Sequence, residues 1–259
     1  MGSVDIERHG RGVVRLVMNH HESGNGLGEA FRGLLLPAIE ELLCDRTCRV
    51  VILASALKNF SVGGDLSKMD TLSDPKAGRE RLTSAHRLAR VLLAAEKPMV
   101  AEVKGHAVGA GAGLALFCDT IVMGEGASIG FPFAKVGLAP DFAIAHTLPK
   151  RIGLARARQA LLYARFYKGP EALAIGLADD VVADDQVAEK ALERARELAE
   201  FPSHTAALTK RMLTLSDDPH AVLEFEATAQ PLCFASDDFR EGLAAFREKR
   251  KPRFDPDIA

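Results

Sequence analysis

The nine residues Gly105-His106-Ala107-Val108-Gly109-Ala110-Gly111-Ala112-Gly113 carry four glycines and three alanines. They follow Pro98 to Val103, which reads as a buried strand, and precede Leu114 to Cys118, which reads as an apolar helix. A strand that passes through a turn without bulky side chains and opens a helix leaves the first helical N–H groups unpaired. The helix dipole lies behind those groups, and small residues let a ligand approach the backbone. A negatively charged oxygen suits such a junction. Close packing of a helix on a sheet would account for the same residues. The spacing is G-x-G-x-G, with Leu114 where a dinucleotide fingerprint has its third glycine, and no G-K-[ST] follows. The oxygen therefore need not be a phosphate's; a thioester carbonyl becoming an enolate fits too.

A second glycine region is Phe60-Ser61-Val62-Gly63-Gly64-Asp65-Leu66. Here bare backbone N–H groups can also face a ligand, although a tight turn with Asp65 as helix N-cap gives the same pattern. A third stretch, Pro132 to Phe142, places Asp141 among Leu138, Ala139, Pro140, Phe142 and Ile144. Two readings stand: an N-cap for a helix beginning near Phe142, or a carboxylate in a dry pocket with its pKa raised by desolvation.

The chain of 259 residues, 47% hydrophobic, is long enough for a large core. A net charge of −2 argues against bulk attraction to nucleic acid or membrane, so an anionic ligand must meet local positive charge. No apolar run reaches 18 residues, and Asp5, Glu7 and Arg8 interrupt the N-terminal stretch. A cytoplasmic protein is the expectation. Cys44, Cys48, Cys118 and Cys233 read as reduced core thiols, since nothing near Cys44 and Cys48 completes a metal site.

Strands are expected at Val13–Met18, Arg49–Ala54 and Thr120–Gly124, with a shorter one at Asn59–Val62 and a short element of unspecified type at Ser128–Phe131. His20, His21 and Glu22 fall in a solvated loop. Leu27–Leu43 is helical, with Ala30, Leu34, Ile39, Leu42 and Leu43 apolar and Pro37 expected to kink or restart it. Residues 67–74 read as a mobile loop. Pro75–Glu96 is an amphipathic helix, with Leu82, Ala85, Leu88, Ala89, Leu92 and Leu93 on one stripe. Asp179, Asp180, Asp184 and Asp185 read as solvated and capping. From Gln186 the pattern is helical throughout, over 186–200, 203–216, 219–232 and 236–248, with a plausible boundary at Phe201-Pro202-Ser203. A stacked or spiral α/β core over 1–200, followed by a helical region over 201–259, fits better than a (β/α)8 barrel. The apolar faces of that helical region call for another subunit.

Together these regions resemble the crotonase (enoyl-CoA hydratase/isomerase) family over nearly the whole chain. The match includes Asn19 to Leu27, Phe60 to Leu66, Lys97 to Asp119, Phe131 to Gly153, and Phe239 to Phe254. The resemblance implies a spiral of ββα units with C-terminal helices that trimerise, trimers often pairing into hexamers. It implies an acyl-CoA thioester as substrate, with coenzyme A part of that substrate and no separate cofactor or metal. It assigns an oxyanion hole to the amides of Gly64 and Ala110, flanked by Val62, Gly63, Asp65, Leu66, Gly109 and Gly111. Two such donors are worth about 3 kcal/mol each at a developing enolate. Lys249 corresponds to a cation near the CoA phosphates, often supplied by a neighbouring subunit. The two glutamates of the family's hydratases fall on Gly113 and Phe133, neither of which can transfer a proton. Asp141 stands where some family isomerases carry an acid, with Phe133 as an apolar wall. The resemblance thus favours a double-bond isomerase with Asp141 as proton shuttle. Hydratase or lyase chemistry, a covalent role for Asp141, and a non-catalytic acyl-CoA binder stay open beside it.

Overall fold

The computed structural model describes residues 2–64 and 74–254. Asp65, Leu66 and all but the last residue of the loop expected at 67–74 lie outside them. The main sheet has six strands in the order β1 (Ser3–Arg8), β2 (Val13–Asn19), β3 (Val50–Ser55), β4 (Met99–Val103), β6 (Thr120–Gly124) and β9 (Asp180–Val182). β1 pairs antiparallel with β2, and all the other pairs are parallel. A second sheet joins β5 (His106–Val108), β7 (Ser128–Gly130) and β8 (Phe166–Lys168), with β7 central.

Parallel strands need crossovers. α1 (Glu29–Cys44) connects β2 to β3, and α2 (Pro75–Leu93) lies between β3 and β4 in sequence and packs on α1. α3 (Ala110–Leu116) follows β5 directly. Beyond β7 come α4 (Ile144–Ile152), α5 (Leu154–Leu162) and α6 (Gly169–Ala174), and the chain ends in α7 (Val187–Ala199), α8 (Ser203–Thr214), α9 (Pro219–Phe234) and α10 (Asp237–Glu248). Every residue of β3 is buried because the sheet is covered on both faces. One face packs under α1 and α2 through Leu16, Met18, Val51, Leu53, Phe31, Leu35 and Leu88. The other carries α7, whose Val187, Ala191, Ala195 and Ala199 sit on Val13, Val17, Ile52, Val100 and Val122. α7 is thus a layer of the core.

Several expectations change. α1 runs through Pro37 without a restart, and its buried positions are Phe31, Arg32, Leu35, Ile39 and Leu42. Ile39 and Leu42 are buried as expected, but Ala30 and Leu34 are exposed, and Phe31 and Leu35 take their places in the first half of the helix. In α2 only Leu88, Ala89 and Leu92 are buried, while Leu82 and Leu93 face out. The glycine-alanine stretch holds a strand, β5, before its helix. Asn59–Val62 forms no strand beyond a parallel bridge from Ser61 to Ala107. Cys48 and Cys118 are core thiols, but Cys44 is exposed and Cys233 half-buried. Asp179 and Asp180 are not simply solvated: they pair with Arg151 and Arg194. His20 is half-buried, bonded to Ser23 Oγ and packed on Phe31.

Candidate active site

The two glycine regions meet. Ser61 donates its N–H to the His106 carbonyl at 3.1 Å, and Val108 donates to the Ser61 carbonyl at 3.0 Å. The contact is so close that side chains are excluded. A Cβ on Gly63 would lie 2.2 Å from the Val108 carbonyl oxygen and 3.3 Å from the Ala110 nitrogen, and Gly63 has φ +88°. A Cβ on Gly111 would lie 2.5 Å from the Ser61 carbonyl oxygen.

Each expected donor belongs to a peptide unit whose carbonyl is fixed from behind. The Gly63 carbonyl accepts the Leu27 N–H at 2.7 Å. A trans peptide is planar, so this bond aims the Gly64 N–H the opposite way. The Gly109 carbonyl accepts the Gly113 N–H at 3.0 Å, which fixes the Ala110 N–H at the first position of α3. Ala110 has helical backbone angles, so alanine serves there as well as glycine. Among the described residues neither the Gly64 nor the Ala110 N–H donates a hydrogen bond.

Asp141 does not cap a helix. α4 begins at Ile144 after Ala143, and its cap makes no side-chain hydrogen bond. Phe142 and Ala143 both take positive φ, 52° and 59°, in a turn that a bulky residue rarely adopts. That turn leaves Asp141 half-buried, with Oδ1 shielded from solvent and without a hydrogen-bond partner. Burial pushes the Asp141 carboxyl above its ordinary range, against the opposing pull of His86, Asp141's own backbone N–H and Arg81. His86 and Arg81 both lie on α2, so α2 faces this acid.

The positions of the two missing glutamates are filled. A Cβ on Gly113 would meet Phe142 Cδ1 at 3.0 Å and Ile144 Cγ1 at 3.1 Å. Phe142 in turn packs edge-on against Phe117 at 5.4 Å. Phe133 is buried, and its ring tip would lie 3.7 Å from a Cβ on Gly109. The turn that presents Asp141 therefore occupies the space beside Gly113.

Gly63, Gly64, Gly109, Ala110, Gly111 and Phe133 are thus assembled in one place, with Val62 partly exposed beside them. Lys249 is exposed at the end of α10, which packs on α9, outside this group. The sequence reading missed the support behind the glycines. Asn25, fully buried, donates to Ser55 Oγ and to the Phe60 carbonyl, and its Oδ1 accepts the His20 N–H. Ser61 Oγ donates to the Asn25 carbonyl. Arg32 is buried on α1 and donates to the Leu27 carbonyl and Ser84 Oγ. An arginine at an apolar phase of a helix was the available signal.

The sequence over residues 8–257 matches the enoyl-CoA hydratase/isomerase family, and the chain belongs to it. A mitochondrial enoyl-CoA hydratase domain-containing protein 2 from Bos taurus is 32% identical, over 94% of this chain and 84% of that protein. A 1,2-epoxyphenylacetyl-CoA isomerase from Escherichia coli is 31% identical, over 94% of this chain and 95% of that one. The crystal structure of an enoyl-CoA hydratase from Bacillus anthracis superposes with a TM-score of 0.90 at 27% identity, covering 98% of this chain and all of the other. The spiral α/β fold with a C-terminal helical region is that of the crotonases. No helix among the described residues is long and apolar enough to cross a membrane.

Proposed function

We propose that this protein is an enoyl-CoA double-bond isomerase in which one carboxylate, Asp141, moves the proton and the Gly64 and Ala110 amides hold the thioester oxygen. The observation that carries this reading is the orphaned, desolvated Oδ1 of Asp141 at a site whose other two acid positions are glycine and phenylalanine. Asp141 removes a proton from C2 of a 3-enoyl-CoA. The electron pair moves into the thioester, and the enolate oxygen takes both amide hydrogen bonds. Asp141 then returns the same proton to C4, and the double bond ends between C2 and C3. One base suffices because nothing is added. Phe133 and Phe142 support this by walling the site off from water. Hydration would need a second group to hold and activate water, and Gly113 and Phe133 offer none.

Coenzyme A enters only as part of the substrate. Trimerisation through the C-terminal helices, with Lys249 reaching the CoA phosphates of a neighbouring subunit, and a cytoplasmic location belong to the same proposal. The test is incubation with a 3-enoyl-CoA, read as growth of the conjugated 2-enoyl thioester absorbance. Loss of that signal in Asp141→Asn supports the reading. Hydratase names among the relatives favour the rival reaction, so crotonyl-CoA is run beside it. Rapid hydration with no isomerisation overturns the proposal.

A further inference from the structure

The strongest unexplained group near the site is Arg32. The residue is 7% exposed, and among the described residues no carboxylate lies in ion-pair contact with it: Glu29 attracts it only through space, while Arg81 repels it. Its Nη1 donates to the Leu27 carbonyl at 2.6 Å and its Nη2 to Ser84 Oγ at 3.3 Å, while Nε is buried without an acceptor. An unpaired buried guanidinium is costly, and an apolar residue would fill this α1 position more cheaply. The bonds it makes lead to the catalytic backbone. Leu27, held by Arg32 at its carbonyl, donates its own N–H to the Gly63 carbonyl at 2.7 Å. That carbonyl belongs to the same rigid peptide as the Gly64 N–H. Arg32 also ties this assembly to α2 through Ser84, and α2 is the helix that faces Asp141.

We infer that Arg32 is a positioning residue for the oxyanion hole: it clamps Leu27, Leu27 fixes the Gly63–Gly64 peptide, and the guanidinium adds positive potential behind the Gly64 donor. The Leu27 carbonyl and N–H belong to adjacent peptide units, so Arg32 acts on the Gly63 bond by holding the Leu27 backbone in place. The cation, in a low-dielectric setting, also acts over longer range than one in water. Its pull grows as charge develops on the thioester oxygen, so it acts on the enolate more than on the bound substrate.

The inference rests on the hole assigned above, and the experiment separates the two. Butyryl-CoA labelled with 13C at the thioester carbon is bound to the protein, and its carbonyl stretch is read by infrared difference spectroscopy. In the wild-type protein the band moves to lower frequency on binding. In Arg32→Met, folded by its melting curve, the band returns part of the way toward free ligand. Its kcat on a 3-enoyl-CoA falls roughly 10- to 100-fold, with KM changed by less than about threefold. If Arg32→Met does not fold, Arg32→Lys is used. It keeps the charge but cannot span Leu27 and Ser84 together, and an intermediate band position is expected. A folded variant with the wild-type band and wild-type kcat overturns the inference and leaves the hole standing. A wild-type protein that shifts the band not at all overturns the hole and the inference with it.

Discussion

Asp141 shows how little a single residue's identity says until its surroundings are known. The same aspartate reads as a helix cap or a buried acid, and only the positive-φ turn at Phe142 and Ala143 decides it. No propensity favours phenylalanine there, so the turn was not legible. The missing glutamates were legible, but the reason they are missing was not: Phe142 and Ile144 stand where a side chain at 113 would go. Two outcomes follow. Asp141→Asn should lose roughly 10²- to 10⁴-fold in kcat, and the wild-type rate should fall on acidification through a pKa above the ordinary 3.8 of aspartate. The stability change has the opposite sense. The raised carboxyl binds its proton more tightly folded than unfolded, so ionisation costs stability as pH rises through the folded pKa and costs nothing below 3.8. Asp141→Asn should therefore melt higher than wild type at neutral pH, and the gain should vanish near pH 3 to 4; a constant gain at all pH values would contradict this. Gly113→Glu, meant to restore a hydratase acid, should instead overpack by about 1–3 kcal/mol, visible as a lowered urea midpoint, and should not hydrate crotonyl-CoA.

At the scale of elements, long amphipathic segments were readable and close backbone contacts were not. The four C-terminal helices fall within a residue or two of their expected ranges. Two are capped by their own side chains: Asp218 and Ser236 accept N–H bonds from the first turns of α9 and α10, whereas α7 and α8 start without such a bond. β1 and β8 were unread, since an exposed edge strand such as β1 lacks an apolar signature. β5 was hidden because three residues of strand inside a glycine run carry no period. What α7 packs on was equally hidden: the alanines at 191, 195 and 199 read as a helical face but do not say which surface it meets. They let the helix lie close on the sheet. Ala195→Leu should wedge it off, at a cost of about 1–3 kcal/mol, whereas a leucine at the exposed neighbour Glu193 should cost far less. Chemical denaturation of the two variants provides the comparison. The glycines obey the same logic at shorter range. Gly111→Ala sets a methyl against the Ser61 carbonyl, so it should push apart the two glycine segments that carry the two amides and lower kcat more than its loss of stability accounts for.

For the molecule as a whole, the isolated chain leaves apolar side chains in solvent. Leu213, Leu223, Leu232, Phe234 and Phe246 are exposed, Phe246 by 82%. All lie on α8, α9 and α10, although α5 also exposes Leu154 and Leu162, and apolar surface of this extent suits the interaction face proposed for the C-terminal helices. The same region holds the cation proposed for coenzyme A. Arg250 is committed to Glu241 and Glu248, while Lys249, at the C-cap of α10 with φ 55°, has no partner among the described residues. If assembly brings Lys249 to a neighbour's site, the charge that the net −2 of the chain cannot supply arrives only in the oligomer. Binding and assembly then become one property. Phe246→Asp should sediment as a smaller species in analytical ultracentrifugation and raise KM for acyl-CoA. Lys249→Ala should raise KM by a similar factor, on the order of tenfold, while sedimenting as wild type. The double variant should be no worse in KM than Phe246→Asp alone, because a lysine that never reaches the phosphates cannot be lost twice. Additive effects would place Lys249 on its own subunit's ligand, and an unchanged KM in Lys249→Ala would remove it from the site.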